Sequence, residues 1–278
     1  MIINFAVRQI TCGNMKEIFE QEDFFKEYFK VFGESKIFDE NVIHNIDIKY
    51  VIDLSQTLIK IFEEKIKILQ EFKLKNEIGL IIFIGNGNID GHSIILEDSS
   101  YVFVDLSAII LRSNRSCDLE TFMCHEIIHA IHYDFNKEFY PKNYTSISDK
   151  YLKMIIEEGL ATYMSMSIFG LSKELGYWLG YLENSQVNEW ILNCEKMKTY
   201  IGINLNQIIS SNIFDENIYS KLFCIKSENL TSYRLGYYYG CQIVKNIVSN
   251  NNFRKVLCFR FCDIQKYIND YFNFNVIS

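Results

Sequence analysis

Residues 118–135 read Asp118-Leu119-Glu120-Thr121-Phe122-Met123-Cys124-His125-Glu126-Ile127-Ile128-His129-Ala130-Ile131-His132-Tyr133-Asp134-Phe135. Histidines four positions apart on a helix project from the same face, one turn above the other. Their imidazole nitrogens can then meet at a single ion, and the intervening Glu126 lies beside it. The flanking residues agree with a helix over 116–135. Ser116 or Asp118 can cap it, and Asp118 and Glu120 suit the positive end of its dipole. Leu119, Phe122, Met123, Ile127, Ala130 and Ile131 supply apolar surface, so an amphipathic helix is expected.

Upstream, the runs 80–84, 93–96 and 101–106 read as short strands, the last two joined across 97–100. The cluster 85–91, Gly-Asn-Gly-Asn-Ile-Asp-Gly, reads as a turn. It lacks both the Gly-Lys-Ser/Thr ending and the Gly-x-Gly-x-x-Gly spacing of phosphate loops. Lone His92 nearby is read as structural. Before the strands, 15–32 and 48–72 carry apolar residues at helical spacing, with Gly33 able to stop the first. After the histidine helix, 133–147 reads as a loop around the only proline, Pro141. Further helices are expected over 148–169 (ending at Gly170), 188–200, 217–224, 230–249 and 263–272.

The reading is an α+β fold, mostly helical, with a small sheet preceding the histidine helix. The expected organisation is an N-terminal helical segment, 1–75, and a catalytic domain, 76–278. The latter comprises the sheet at 79–106, the active-site helices at 116–170 and a helical remainder at 171–278. A chain of 278 residues, 49% apolar and 15% aromatic, can bury a sizeable core. Its net charge of −7 and lack of a basic stripe argue against a nucleic-acid partner. No apolar run approaches the roughly 18 residues of a membrane span. The first residues lack the charged and apolar regions of a signal peptide. The eight scattered cysteines then read as reduced core residues of a cytoplasmic protein.

A hydrolytic zinc site usually has three protein ligands and one open position. Beyond His125 and His129 there are three candidates: His132, Asp134 and a carboxylate in Glu157-Glu158-Gly159-Leu160-Ala161-Thr162-Tyr163. The first two share the helix of the histidine pair, and one straight helix cannot easily wrap three ligands around one ion. A Gly inside a helix costs about 1 kcal/mol relative to Ala, so Gly159 wants a reason. Close approach of its helix to the histidine helix would be one.

His-Glu-x-x-His followed by a helix bearing Glu-Gly-Leu-Ala-Thr-Tyr resembles the gluzincin metallopeptidases, including M1-type aminopeptidases. It is also similar to a group of predicted zinc proteases with a Glu-Gly-Leu-Ala helix. The resemblance covers 118–170 and 230–245. It implies a zincin-like domain with one Zn²⁺ per chain, Glu158 as third ligand (Glu157 as the lesser alternative) and Glu126 as general base. Gluzincins also supply a hydroxyl or imidazole to the oxyanion from a later helix. In Tyr233-Arg234-Leu235-Gly236-Tyr237-Tyr238-Tyr239-Gly240, both Tyr233 and Tyr237 stand in the Tyr-x-x-Gly context of that residue, and the predicted-protease pattern favours Tyr237. Arg234 can bind a substrate carboxylate or pair with a surface acid. The Gly-x-Met-Glu-Asn motif, which holds a free amino terminus in the aminopeptidases, is absent.

The implied activity is hydrolysis of peptide bonds in a peptide or protein substrate. A strand such as 101–106 would pair with the extended chain. The competing readings are a zincin scaffold that binds without turnover and a zinc hydrolase of non-peptide amides.

Overall fold

The computed structural model describes residues 1–12, 19–32, 47–72, 77–85, 91–111, 118–226 and 229–274. Gly33, Ser116 and most of the 85–91 turn lie outside them. The fold is α+β and mostly helical with one small sheet. The chain divides into two compact units, Met1–Phe135 and Asn136–Ser278.

In the first unit the strands are β1 (Ile2–Asn4), β2 (Gly79–Phe83), β3 (Gly91–Leu96) and β4 (Ser99–Asp105), in the order β1-β2-β4-β3. β1, β2 and β4 are parallel, and β3 runs antiparallel to β4. The apolar run of β2 is buried at every position, as an interior parallel strand covered on both faces must be. β1, absent from the sequence reading, pairs Ile2 with Leu80 and Asn4 with Ile82.

Alternation along the strands sorts two faces. Ile81, Phe83, Ile94, Tyr101 and Phe103 join Phe5, Phe19, Phe25, Tyr28 and Phe29 in one aromatic core. Phe5 opens helix α1 (Phe5–Cys12), and Phe25 to Phe29 belong to α2 (Asp23–Phe32). Their rings meet mostly edge to face; Phe25 lies 5.4 Å from Phe83 and 6.0 Å from Phe103, centroid to centroid. His92 stacks its ring on Phe32 at 3.9 Å. The helix expected over 48–72 is α3 (Ile48–Ile68), closed by a 3₁₀ turn. A short helix α4 (Leu106–Leu111) follows β4, and the histidine helix is α5 (Leu119–Phe135). α5 packs on β3, β4 and α3.

The second unit is helical: α6 (Ile147–Phe169), α7 (Lys173–Trp178), α8 (Asn184–Ser211), α9 (Glu216–Phe223), α10 (Leu235–Val248), α11 (Phe253–Leu257) and α12 (Phe261–Phe272). The helix expected over 188–200 is more than twice as long. That expected over 230–249 breaks at Tyr233 and Arg234, where Arg234 takes the left-handed conformation (φ 57°). α6 and α10 cross in contact at Gly159 and Gly240. A Cβ on Gly159 would lie 2.0 Å from the Gly240 carbonyl carbon, and one on Gly240 would lie 1.8 Å from the Ile155 carbonyl oxygen.

Candidate metal centre

Asp118 caps α5, accepting from the Thr121 amide at 2.7 Å, so this start is as the sequence reads. The amphipathic expectation is corrected: every residue from Thr121 to Phe135 is buried. A helix covered all round carries apolar residues all round, and its polar groups persist inside for function or pairing. Polar contacts tether it. Lys65 of α3 pairs with Glu120, and Ser93 of β3 donates to the Glu126 carbonyl oxygen at 3.1 Å.

His125 and His129 are 4% and 7% exposed. Their Nε2 atoms face each other at 3.2 Å. Two nitrogens bound at about 2.0–2.1 Å to one tetrahedral ion stand about 3.3 Å apart, so this pair fits a zinc ion in position as well as in chemistry. Glu126, between them, is 8% exposed. Glycine at 91 keeps β3 close to it: a Cβ there would meet the Glu126 Cγ at 3.1 Å.

His132 is fully buried, and its pKa is pushed down to about 3 by burial and then by neighbouring His129. It is therefore a neutral ring at ordinary pH. Seven residues separate it from His125, roughly 10 Å along the axis, so one ion cannot take both without a break in the helix. Asp134, buried as well, lies further along the same helix.

In the second unit, α6 presents Glu157 and Glu158 in sequence. Glu157 is buried, and the Tyr144 hydroxyl lies 2.9 Å from both of its carboxylate oxygens. Glu158 is half-buried. Tyr219 of α9 feels its charge: burial first, then Cys224 and Glu158, push the phenol up to about 12. The reason offered for Gly159 needs correction. What a side chain there would meet is Gly240 and Cys241 of α10. The glycine serves that helix crossing, and it does not by itself point to Glu158.

Tyr237 lies in the first turn of α10 and is 9% exposed. The Arg234 guanidinium sits 3.6 Å from the centre of its ring and 5.5 Å from that of Trp178. Tyr233 is half-buried; its carbonyl accepts from Trp190 Nε1 at 2.7 Å, and Lys221 and Lys226 lie 5.9 and 5.7 Å from its ring. Arg234 is not a surface ion-pair partner. It is 5% exposed, and among the described residues its Nε and Nη2 have no hydrogen-bond partner.

Tyr144, Ser93 and Trp178 were not singled out from sequence. Tyr144 lies in a segment read as loop, and nothing local ties it to a carboxylate thirteen residues on. Trp178 carried one available signal, being one of two tryptophans in the chain.

A family model described as "Predicted Zn-dependent protease (DUF2268)" matches residues 57–265, a span that includes His125, His129, Glu158 and Tyr237. Neither the curated proteins nor the solved structures contain a significant match to the chain.

Proposed function

We propose, from the premise that this chain belongs to the family of predicted Zn-dependent proteases, that it is a zinc-dependent peptidase of gluzincin type. The observation that carries the reading is the buried pair of imidazole nitrogens at 3.2 Å with a glutamate between them on one helix. His125, His129 and Glu158 each offer one donor atom, two imidazole nitrogens and a carboxylate oxygen, which is a ligand set suited to zinc. Under this reading one ion binds per chain, and the fourth position is left to water and substrate. Zinc, when bound, acidifies water and polarises a carbonyl oxygen.

The protein's own groups do the rest. Glu126 accepts the proton of the attacking water and delivers it to the leaving amine, a role its place beside the ligands allows. Tyr237 donates its hydroxyl to the developing oxyanion. Its neighbour Tyr233 is the weaker candidate, because the interruption of the helix at 233–234 engages its carbonyl with Trp190. Glu157, tied to Tyr144, is better suited to holding α6 in place than to ligation.

The substrate strand needs a different edge from the one first expected. β4 lies between β2 and β3, so both of its sides are already paired. β1 and β3 are the edges, and of the two β3 runs beside Glu126. An extended peptide is therefore proposed to add to β3.

The deciding experiment is Glu126→Gln, with hydrolysis of a peptide library and zinc content measured on the same protein. The expected result is zinc content close to one per chain and a loss of hydrolysis of about 10²–10⁴-fold. Cleavage at the wild-type rate would overturn the mechanism, and a wild-type chain that takes up no zinc would overturn the metal assignment.

A further inference from the structure

Arg234 raises a question the mechanism leaves open. A guanidinium stays charged at any physiological pH, and burying it without an acceptor is strongly unfavourable. Lys153, a buried cation of the same unit, shows the ordinary solution. Its ammonium donates to the Glu138 carbonyl at 3.0 Å and lies 3.1 Å from the Asp149 carboxylate. Arg234 has no such arrangement. Its Nε and Nη2 are buried and, among the described residues, no acceptor lies within hydrogen-bonding distance of either. Trp178 Nε1 is a third buried donor in the same condition. The two side chains adjoin, the guanidinium carbon standing 5.5 Å from the Trp178 ring.

What holds the cation is its face on Tyr237, at 3.6 Å. Cation–π contact offsets part of the burial cost but occupies the flat face only. The N–H groups point outward in the guanidinium plane, and the hydrogen-bonding capacity of Nε and Nη2 remains unused among the described residues. Arg234 also takes the left-handed backbone conformation, as Leu179 beside Trp178 does, and each adds local strain. A buried cation with two donors lacking acceptors, next to a residue with a third such donor, describes a site for an anion with two oxygens in one plane.

We infer that Arg234 and Trp178 Nε1 form a subsite for a substrate carboxylate, held against the ring of Tyr237. The choice of a peptide carboxylate rests on the peptidase reading; the unmet donors do not depend on it. The carboxylate comes from the chain terminus or from an acidic side chain, and the test separates the two.

The experiment is calorimetric titration of the full-length Glu126→Gln protein, which does not consume its ligand. The probes are acetyl-triglycine, its C-terminal amide, and acetyl-Gly-Asp-Gly-amide. One of the two carboxylate peptides is expected to bind at least about tenfold more tightly than the neutral amide. Preference for acetyl-triglycine identifies the terminus as the source, and preference for the Asp peptide identifies the side chain. Arg234→Gln in the same background should abolish the preference. Should that variant fail to fold by circular dichroism, Arg234→Lys carries the test. It keeps the charge but loses the planar fork, so the preference should fall at least about threefold.

Equal binding of all three peptides, binding of none, or a preference that survives the Arg234 substitution overturns the inference. Zinc content and hydrolysis by the wild type, measured separately, decide the peptidase reading. Its failure would leave the carboxylate preference standing as a separate result.

Discussion

At the scale of single residues, the decisive contacts are few. His129→Ala removes one of two imidazoles that converge to 3.2 Å and is expected to lower bound zinc severalfold or more, read by metal analysis after dialysis. Glu158→Ala should do the same if that carboxylate is a ligand. Unchanged zinc in that variant would remove Glu158 from the set while leaving the histidine pair intact. Tyr144→Phe tests the support beneath. It takes away the donor that bridges both Glu157 oxygens. The expected destabilisation is about 1–3 kcal/mol by urea unfolding, since a buried carboxylate loses a partner. Both His132 and Arg234 illustrate why identity alone misleads. One is a buried histidine held neutral by its surroundings, and the other is a buried arginine that keeps its charge.

At the scale of elements, the crossing of α6 and α10 makes a sharp prediction. Gly159→Ala places a methyl 2.0 Å from Gly240 backbone, and no side-chain rotation can relieve that clash. A loss of about 3 kcal/mol or more in unfolding free energy is expected, at the upper end of overpacking costs. Gly202→Ala, inside α8, is the control. Its nearest neighbour would be Phe272 at 3.4 Å, ordinary contact. That substitution should be neutral or stabilising by up to about 1 kcal/mol, because Ala restricts the unfolded chain. Equal effects at the two positions would refute the close-crossing account. The same element scale explains the edge strand. β3 and β4 are both short and apolar, and only their order in the sheet tells which one has a free side.

At the scale of the whole molecule, thiols report burial. Among the described cysteines, Cys124, Cys194 and Cys241 are buried, Cys224 is half-buried, and Cys258 and Cys262 are exposed. Burial raises the Cys194 thiol far above its ordinary pKa and pushes that of Cys241 up to about 11. An alkylating reagent at neutral pH should label Cys258 and Cys262 rapidly, and Cys194 and Cys241 only on unfolding. Rapid native labelling of the latter pair would contradict the structure. The core reading of the cysteines is thus half right. Among the described residues, no helix is long and apolar enough to cross a membrane. Bound zinc should also stabilise the chain. At a hundred times its dissociation constant it is worth roughly 2.7 kcal/mol, a rise in melting temperature on the order of 5 to 10 °C that a chelator reverses.

Several features are legible in the sequence because they depend on spacing along one element. A four-residue interval puts His125 and His129 on one face of any α-helix, and short runs of four to six mostly apolar residues mark β2 to β4. The Asp118 cap and the Gly170 stop are equally local. Other features depend on which elements meet, and no local pattern records that. β1 is three residues long, and only pairing with β2 makes it a strand. Gly159 announces a close approach without naming the partner, which is Gly240. Arg234 shows the limit most clearly. Its sequence neighbours suit an exposed ion-pair partner as well as a buried binding group. Only the packing of Trp178 and Tyr237 around it buries its Nε and Nη2, which find no acceptor among the described residues. Periodicity is a property of the chain, whereas desolvation is a property of what surrounds it.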